Sequence, residues 1–353
     1  MTDPRPRHLL LAASAFAVLM TAACGGTTID DAQEEEASGP TGTADPDAEI
    51  PEGLRIDFLP KQLNNPYSDI VNEGGAVAVE ELAGEFTERG GTEPTADSQV
   101  EYINAASQAG SDVIVIAAND PDAVCPSLDQ ARDNGAAIVG YDSNASCTDI
   151  FVNQSSDELI GRTLVEMISE QIGGEGTFAV LSATPNATNQ NSWIAAMEEV
   201  LAEEEYAGLE LVDTVYGNDD DLQSFQEMQG LMQSHPDLDG VVSPTTVGIA
   251  AAARYVSDSE YKGEVAITGL GTPTRCASSW RTAPSTPSRC GTPRSSATSP
   301  GTREPRERGT HHRAEGETFE AGDLGEYTVG ADGEIVLGPP TVFDADNIDD
   351  FDF

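Results

Sequence analysis

The feature that most constrains this chain is an alternation that begins at Leu54. Short apolar runs of strand length take turns with amphipathic stretches of helix length. The runs are Leu54 to Leu59, Val113 to Ala118, Ala137 to Tyr141, Phe178 to Ser182, Leu211 to Val215, Gly240 to Ser243 and Val265 to Leu270. Helices are predicted between them, over Tyr67 to Leu82, Gln99 to Ala109, Val124 to Asn134, Glu158 to Ile172, Asn191 to Glu205, Asp221 to Ser234 and Thr246 to Ser257. Strands alternating with helices build βαβ units, and such units build parallel sheets. The runs are apolar on both faces, as strands covered by helices must be. The class is therefore α/β, and no solenoid period interrupts it.

Polar residues cluster just past the carboxyl end of each predicted strand. The groups are Pro60 to Asn65, Asn119 to Asp122, Asp142 to Asn144, Ala183 to Gln190, Tyr216 to Asn218 and Pro244 to Thr246. Open α/β sheets bind ligands at that edge. One such loop by itself is more simply a turn or a helix cap. Six on one edge point to a site, and amides, hydroxyls, carboxylates and one Lys match the donors and acceptors of a polyol.

Charge narrows the partners. Seventeen Lys and Arg stand against 62 Asp and Glu, a formal net charge of −45. Such a field repels phosphate backbones, so nucleic acid is excluded as a partner. At the N-terminus, Arg5 and Arg7 precede an apolar run from Leu9 to Met20, which suits the core of a signal peptide. The run ends in Thr21-Ala22-Ala23-Cys24. Residues 25–52 are rich in Gly, Thr, Ala and acids and too poor in apolar side chains to order themselves. As a flexible coil that segment spans about 30 Å. Cys125 and Cys147 follow two of the strand-end loops; in an exported chain they are candidates for one disulfide, the alternative being two separate buried thiols. No metal site is expected, because His8 lies in the signal and His235 opens a Pro-containing turn. Asn186-Ala187-Thr188 matches a glycosylation sequon by accident of a polar loop.

At the strand-end loops a resemblance becomes plain. Leu59-Pro60-Lys61-Gln62-Leu63-Asn64-Asn65-Pro66-Tyr67, Ala118 to Asp122, Tyr141-Asp142-Ser143, Ser182 to Asn191, Pro244-Thr245-Thr246 and the tail Asp346 to Phe353 resemble type I periplasmic-type sugar-binding proteins of ABC importers. The group is the one that includes rhamnose- and autoinducer-2-binding proteins, with the rhamnose branch closer. Thr21 to Cys24 resembles a lipobox, which implies cleavage before Cys24 and lipidation of its thiol. Lipid chains would then anchor the protein on the outer face of the membrane without crossing it.

The resemblance implies two Rossmann-like lobes joined by a hinge, with ligand held between them. It divides the chain into a signal peptide at 1–23, a tether at 24–52, lobe 1 at 53–142, lobe 2 at 143–268, a return to lobe 1 at 269–313, and the remainder of lobe 2 with the tail at 314–353. It places Lys61, Asp142, Gln190, Pro244 and the neighbourhoods of Asn189 and Thr246 in the cleft. Autoinducer-2 binders carry Asp at the position of Asn189 and Ala at that of Thr246, so a neutral sugar is the expected ligand. Asn65 and Asp120 join the expected set from loop position alone. Asp142 can accept two hydroxyl bonds and Lys61 can donate to ring or hydroxyl oxygens. Trp193 is expected to pack between helix and sheet, with stacking on a sugar face as the alternative.

The implied function is an extracytoplasmic receptor that closes on a monosaccharide and delivers it to a membrane permease. It would work as a monomer without a cofactor. A sensor that presents its closed form to a membrane partner without transport is the alternative. A repressor would need a basic helix-turn-helix ahead of Leu54, where the tether is acidic. An enzyme is not expected, for there is no Gly-x-Ser-x-Gly elbow, P-loop or metal-spaced His set, and Asp120 with Asp142 reads as binding carboxylates.

One segment breaks the pattern. Thr272 to Arg313 contains no Leu, Ile, Val, Met, Phe or Tyr and holds eight of the chain's fifteen Arg. A disordered linker is the simplest reading, but the segment falls where another helix, strand and hinge crossing are needed. It reads instead as an out-of-frame translation of a GC-rich gene that damages one lobe. Read two nucleotides later, GC-rich codons for Cys276 onward can encode Met-Arg-Glu-Phe-Val-Glu-Asp-Gly-Thr-Val-Asp-Ala-Phe-Ala-Leu-Trp-Asn-Pro, a helix end, a turn and an apolar strand. The pattern resumes at Gly316-Glu317-Thr318-Phe319. On this reading Cys276 and Cys290 form no site.

Overall fold

The computed structural model describes residues 51–273, 289–292, 315–321, 324–344 and 347–350. The expected signal, the Cys24 of the expected lipobox and nearly all of the expected tether lie outside the described residues, as does most of the 272–313 segment. Among the described residues no helix is long and apolar enough to cross a membrane.

Two six-stranded sheets carry the fold. The first is built from β1 (Arg55–Leu59), β2 (Glu85–Glu88), β3 (Val113–Ile116), β4 (Ala137–Tyr141), β5 (Ile150–Asn153) and β13 (Glu334–Val336), in the order β13-β5-β4-β3-β1-β2. All of its neighbours are parallel. The second contains β6 (Gly176–Ser182), β7 (Leu209–Tyr216), β8 (Gly240–Ser243), β9 (Ala266–Leu270), β10 (Arg289–Thr292) and β14 (Thr341–Phe343), in the order β14-β10-β9-β8-β6-β7. Only β14 runs antiparallel there. A small hairpin pairs β11 (Thr318–Glu320) with β12 (Glu326–Thr328). Each sheet reverses its winding at its first strand, β1 or β6, so each has a switch point of the kind where α/β sheets hold ligands.

The helices follow the amphipathic stretches closely: α1 (Pro66–Glu81), α2 (Ala96–Ala109), α3 (Cys125–Asp133), α4 (Asp157–Ile172), α5 (Thr188–Leu201), α6 (Asp221–Ser234) and α7 (Thr246–Asp258). Their ends are set by local chemistry. Asn65, Thr95, Ser156 and Asp220 each accept a backbone N–H from the first turn of the following helix. Gly110 and Gly173 close α2 and α4 in the left-handed conformation. One core surrounds Ile103, Ile114, Leu128 and Ile138 in the first lobe. The second lobe has a core on each face of its sheet, around Leu164, Phe178 and Met197 on one side and Leu181, Met228 and Ile249 on the other.

Three lobe assignments change. The expected boundary at 142/143 is too early, because β5 pairs with β4 in the first sheet, and the chain crosses only between Asn153 and Asp157. The segment expected to return to lobe 1 at 269–313 instead places β10 beside β9 in the second sheet, with Arg289 opposite Thr268 and Gly291 opposite Leu270. The stretch assigned wholly to lobe 2 after 314 puts β13 on the edge of the first sheet before β14 returns to the second. In each case an open sheet edge captures the next extended segment, because unpaired edge N–H and C=O groups are costly to leave unmatched.

Before residue 274, two short strands escape the apolar-run pattern. Glu85-Phe86-Thr87-Glu88 is a polar-ended edge strand, and Ile150 to Asn153 offers only three apolar residues. Cys125 and Cys147 are joined in a disulfide, with Cα atoms 5.7 Å apart and a sequence separation of 22. Closing a loop of that size stabilises by about 3 kcal/mol in the chain-entropy picture. Cys125→Ser with Cys147→Ser is therefore expected to lower the denaturation free energy of the first lobe by about that amount. Urea titration with and without reductant checks this; equal midpoints would show that the bond contributes nothing.

Candidate functional site: a polar pocket between two sheet edges

The carboxyl ends of both sheets meet at one pocket, the edge at which open α/β sheets hold ligands. From the first lobe come Lys61 and Asn65 after β1, Tyr67 and Ser68 on α1, Asp142 after β4 and Gln154 after β5. From the second come Asn189, Gln190 and Trp193 on α5, Asp219 after β7, Pro244, Thr245 and Thr246 after β8, and Leu270 and Gly271 at the end of β9.

At its centre Lys61 Nζ lies 3.1 Å from Asp142 Oδ2, with both side chains largely buried at 16% and 11% exposure. Asn189 bridges them from the opposite lobe. Its Oδ1 accepts from Lys61 at 2.9 Å, and its Nδ2 donates to Asp142 Oδ1 at 3.2 Å. Gln154 Nε2 donates to the same Oδ1 at 3.1 Å. Gln190 is held by its own lobe, where its Oε1 accepts from Ser182 Oγ at 2.7 Å and from the Ala183 N–H at 2.8 Å. Those bonds make Nε2 its donor end. Ser143 and Thr188 join hydroxyls across the lobes at 3.1 Å. With these bridges made, the cleft is closed.

The backbone is bent to aim these groups. Asn64, Asp142, Asn218 and Asp219 all have positive φ, at 62°, 57°, 52° and 49°. Asn and Asp tolerate this region better than other non-glycine residues, yet such conformations persist only where surroundings hold them. Gly217 precedes the pair at 218–219 because a Cβ there would lie 2.1 Å from Ser224 Oγ. Gly269 has φ +151°, and a Cβ on it would come within 1.8 Å of the Ser243 carbonyl oxygen. Gly269→Ala is accordingly expected to push β9 from β8 and cost several kcal/mol, with loss of ligand binding. Thermal melting of that variant checks it; an unchanged midpoint would contradict the geometry.

Burial, and then Asp142, push the Tyr67 phenol well above its usual range, so it stays a neutral donor and acceptor. Burial also raises the Asp219 carboxyl. The Thr245 hydroxyl, Lys61 and the Asn65 amide oppose that shift, while Asp142 adds to it.

Of the residues expected from sequence, the structure brings Lys61, Asn65, Asp142, Asn189, Gln190, Pro244 and Thr246 to this pocket. Asn65 also caps α1, accepting from Tyr67 N at 3.0 Å. Asn189 and Gln190 lie on the first turn of α5, not in a loop, because that helix starts at Thr188. Asp120 is a correction. It lines a larger outer crevice, and its Oδ1 accepts from the N–H groups of Asp122 at 3.1 Å and Ala123 at 2.9 Å, so its carboxylate makes the turn before α3. Trp193 is 3% exposed and belongs to the second-lobe core while its edge walls the pocket. Sequence reasoning missed Gln154, hidden behind the unrecognised β5, and Asp219, one residue beyond the group Tyr216 to Asn218. The signal for Asp219 was Gly217-Asn218-Asp219-Asp220, a turn with more acids than a helix cap requires.

Comparison with known proteins agrees with this architecture. The periplasmic binding protein domain family matches residues 56–283. The crystal structure of a sugar ABC transporter from Actinomyces odontolyticus is 45% identical, covering 88% of this chain and 100% of that one with a TM-score of 0.66. An ABC transporter solute-binding protein from Clostridium phytofermentas, solved with bound L-rhamnose, is 31% identical over 85% of this chain and 98% of that one, with a TM-score of 0.76. LsrB from Clostridium saccharobutylicum, in complex with AI-2, shares 21% identity over 85% and 100% of the two chains at a TM-score of 0.74, a likeness of fold. The architecture is that of type I periplasmic binding proteins, which are extracytoplasmic and bind solutes without catalysing a reaction. The chain belongs to the periplasmic binding protein family, among the solute-binding proteins of sugar ABC transporters.

Proposed function

We propose that this chain captures a neutral monosaccharide of the rhamnose kind by hinge closure and presents it to an ABC permease. The observation that carries the reading is the meeting of Lys61, Asp142 and Asn189 in one hydrogen-bonded group drawn from both lobes. A polyol entering that group can donate hydroxyls to Asp142 and accept from Lys61, the Gln190 amide and the Asn189 amide at once. Contacts to both lobes are better satisfied closed than open, so ligand shifts the population toward closure. The 31% identity to a protein solved with L-rhamnose supports that sugar over the other ligands of the fold.

Within this reading Cys24 carries a lipid anchor, residues 25–52 form the tether, and the receptor works as a monomer on the outer membrane face without cofactor or metal. The test is calorimetric titration and ligand-dependent melting with L-rhamnose, D-arabinose, D-fucose and autoinducer-2. Binding of L-rhamnose in the micromolar range, about −8 kcal/mol, is the expected result with the segment at 272–313 restored to the other frame. Selective binding of autoinducer-2 would favour the sensor role; binding of none of the panel by the restored chain would overturn the sugar reading.

A further inference from the structure

Among the described residues the pocket is lined by two carboxylates, Asp142 and Asp219, and one cation, Lys61. Lys61 is paired with Asp142, and among the described residues Asp219 has no ion pair of its own at the pocket. Asp219 stands on the second lobe and reaches into the seam between lobes. One carboxylate oxygen takes the hydroxyl of Thr245 in its own lobe, and the other takes the Asn65 amide of the first lobe at 3.2 Å. Its main-chain carbonyl takes Gln62 Nε2 at 3.5 Å, again from the first lobe. Thr245 is the N-cap residue of α7, yet its hydroxyl makes no capping bond to that helix and goes to Asp219 instead. Local helix stability is forgone there to satisfy a carboxylate that only closure places between the lobes.

We infer that Asp219 is an electrostatic gate, a carboxylate whose enclosure at the lobe seam keeps the empty cleft from closing until a ligand's hydroxyls satisfy it. Opening returns the group to water, whereas closing removes water and leaves two neutral donors in exchange. A charged group enclosed without its own counter-ion disfavours the state that encloses it. The other titratable groups that line the pocket are Lys61, Tyr67 and Asp142; Glu93, Asp120 and Asp220 share the outer crevice that Asp219 also borders. Of these only Lys61 is basic, so the surroundings add negative charge to the seam.

The sign of the pH effect follows. Burial in this closed cleft raises the carboxyl above its ordinary value, and on this inference opening returns it toward that value. Closing therefore takes up protons: the penalty is absent below the open-state pKa and fully present above the closed-state one. The ligand half of this inference rests on the sugar-binding reading; the unliganded half does not.

The test is small-angle scattering of the full chain without ligand. Asp219→Asn keeps the side-chain shape and tolerates the left-handed backbone. It is expected to raise the ratio of closed to open molecules about tenfold at neutral pH. Asp219→Gly, which relieves the backbone as well, should shift in the same direction. Lowering the pH should close the wild type and leave Asp219→Asn unmoved. Asp220→Asn removes the same charge from an exposed position one residue away, caps α6 equally well and should shift the ratio far less than Asp219→Asn does. A melting midpoint for Asp219→Asn no lower than wild type separates gating from damage. A wild type already as closed as the variant at neutral pH, or variants equally or more open, would overturn the inference. If Asp219→Asn closes while L-rhamnose has no effect on the frame-restored chain, the gate stands and the sugar reading falls.

Discussion

Restoring the alternative reading frame across 272–313 is expected to raise sugar affinity at least a hundredfold, from weak or undetectable into the micromolar range, about 3 kcal/mol or more. The argument is structural as well as compositional. Strand β10 occupies an interior position, hydrogen-bonded to β9 on one side and to β14 on the other. Interior strands of a helix-covered sheet are apolar runs. This one reads Arg289-Cys290-Gly291-Thr292, in a segment without a single aliphatic branched residue. The frame two nucleotides later can place Ala-Leu-Trp-Asn at those same four positions. Fully burying a Leu contributes roughly 1.5–3 kcal/mol, and Trp adds a comparable or larger amount. For a protein of this size that corresponds to about 5–15 °C in melting temperature. The strand that β10 pairs with ends in Leu270, and Leu270 and Gly271 line the pocket, so a poorly held β10 loosens one pocket wall. Calorimetric titration with L-rhamnose and thermal melting of the two forms, side by side, decide the matter. Equal affinities and equal midpoints would refute the frame reading, as would a gene sequence that supports the present Arg- and Ser-rich codons.

The second large effect is expected at the central ion pair. Asp142→Asn, in the frame-restored chain, should weaken L-rhamnose binding about 100- to 1000-fold, near 3–4 kcal/mol. Lys61 and Asp142 are both largely buried and hydrogen-bonded to Asn189 across the cleft. Removing one charge leaves the other enclosed without its ion-pair partner, and the same change removes an acceptor for ligand hydroxyls. Lys61→Met should cost a similar factor. The double variant should lose less than the sum, because the two side chains act as one unit. Asp120→Asn is the internal comparison. Its carboxylate makes a backbone turn in the outer crevice, so affinity should change less than about twofold. Calorimetry on the four variants tests all of this. An Asp142→Asn protein that binds as tightly as its parent would remove the pocket from the binding mechanism.

The layout of strands and helices was legible because both signals are local. Apolar runs such as Phe178 to Ser182 and capping residues such as Ser156 and Asp220 act within a few positions of themselves. Most of the pocket was legible for the same reason, since parallel strands deliver their trailing loops to one edge wherever the strands can be counted. Strand counting put the loops of Lys61, Asp142, Gln190 and Pro244 on one edge, and the resemblance to sugar-binding proteins singled out these residues within them. What escaped depended on partners distant in sequence. β2 and β5 are strands because β1 and β4 present open edges to them, not because their own residues insist.

Lobe membership was likewise beyond local pattern. Whether 289–292 or 334–336 joins the first or second sheet depends on which edge lies within reach after folding. Asp120 and Asp219 show the same division at the level of single carboxylates. Each follows a strand, yet a tight turn takes up the first, while two successive left-handed residues carry the second into the seam. The amino-acid text thus determined the class of fold, the helices and the edge at which a ligand is held. Tertiary structure alone decided which acids face one another across the cleft, because charge enclosure is a property of two surfaces brought together and neither strand nor loop contains it.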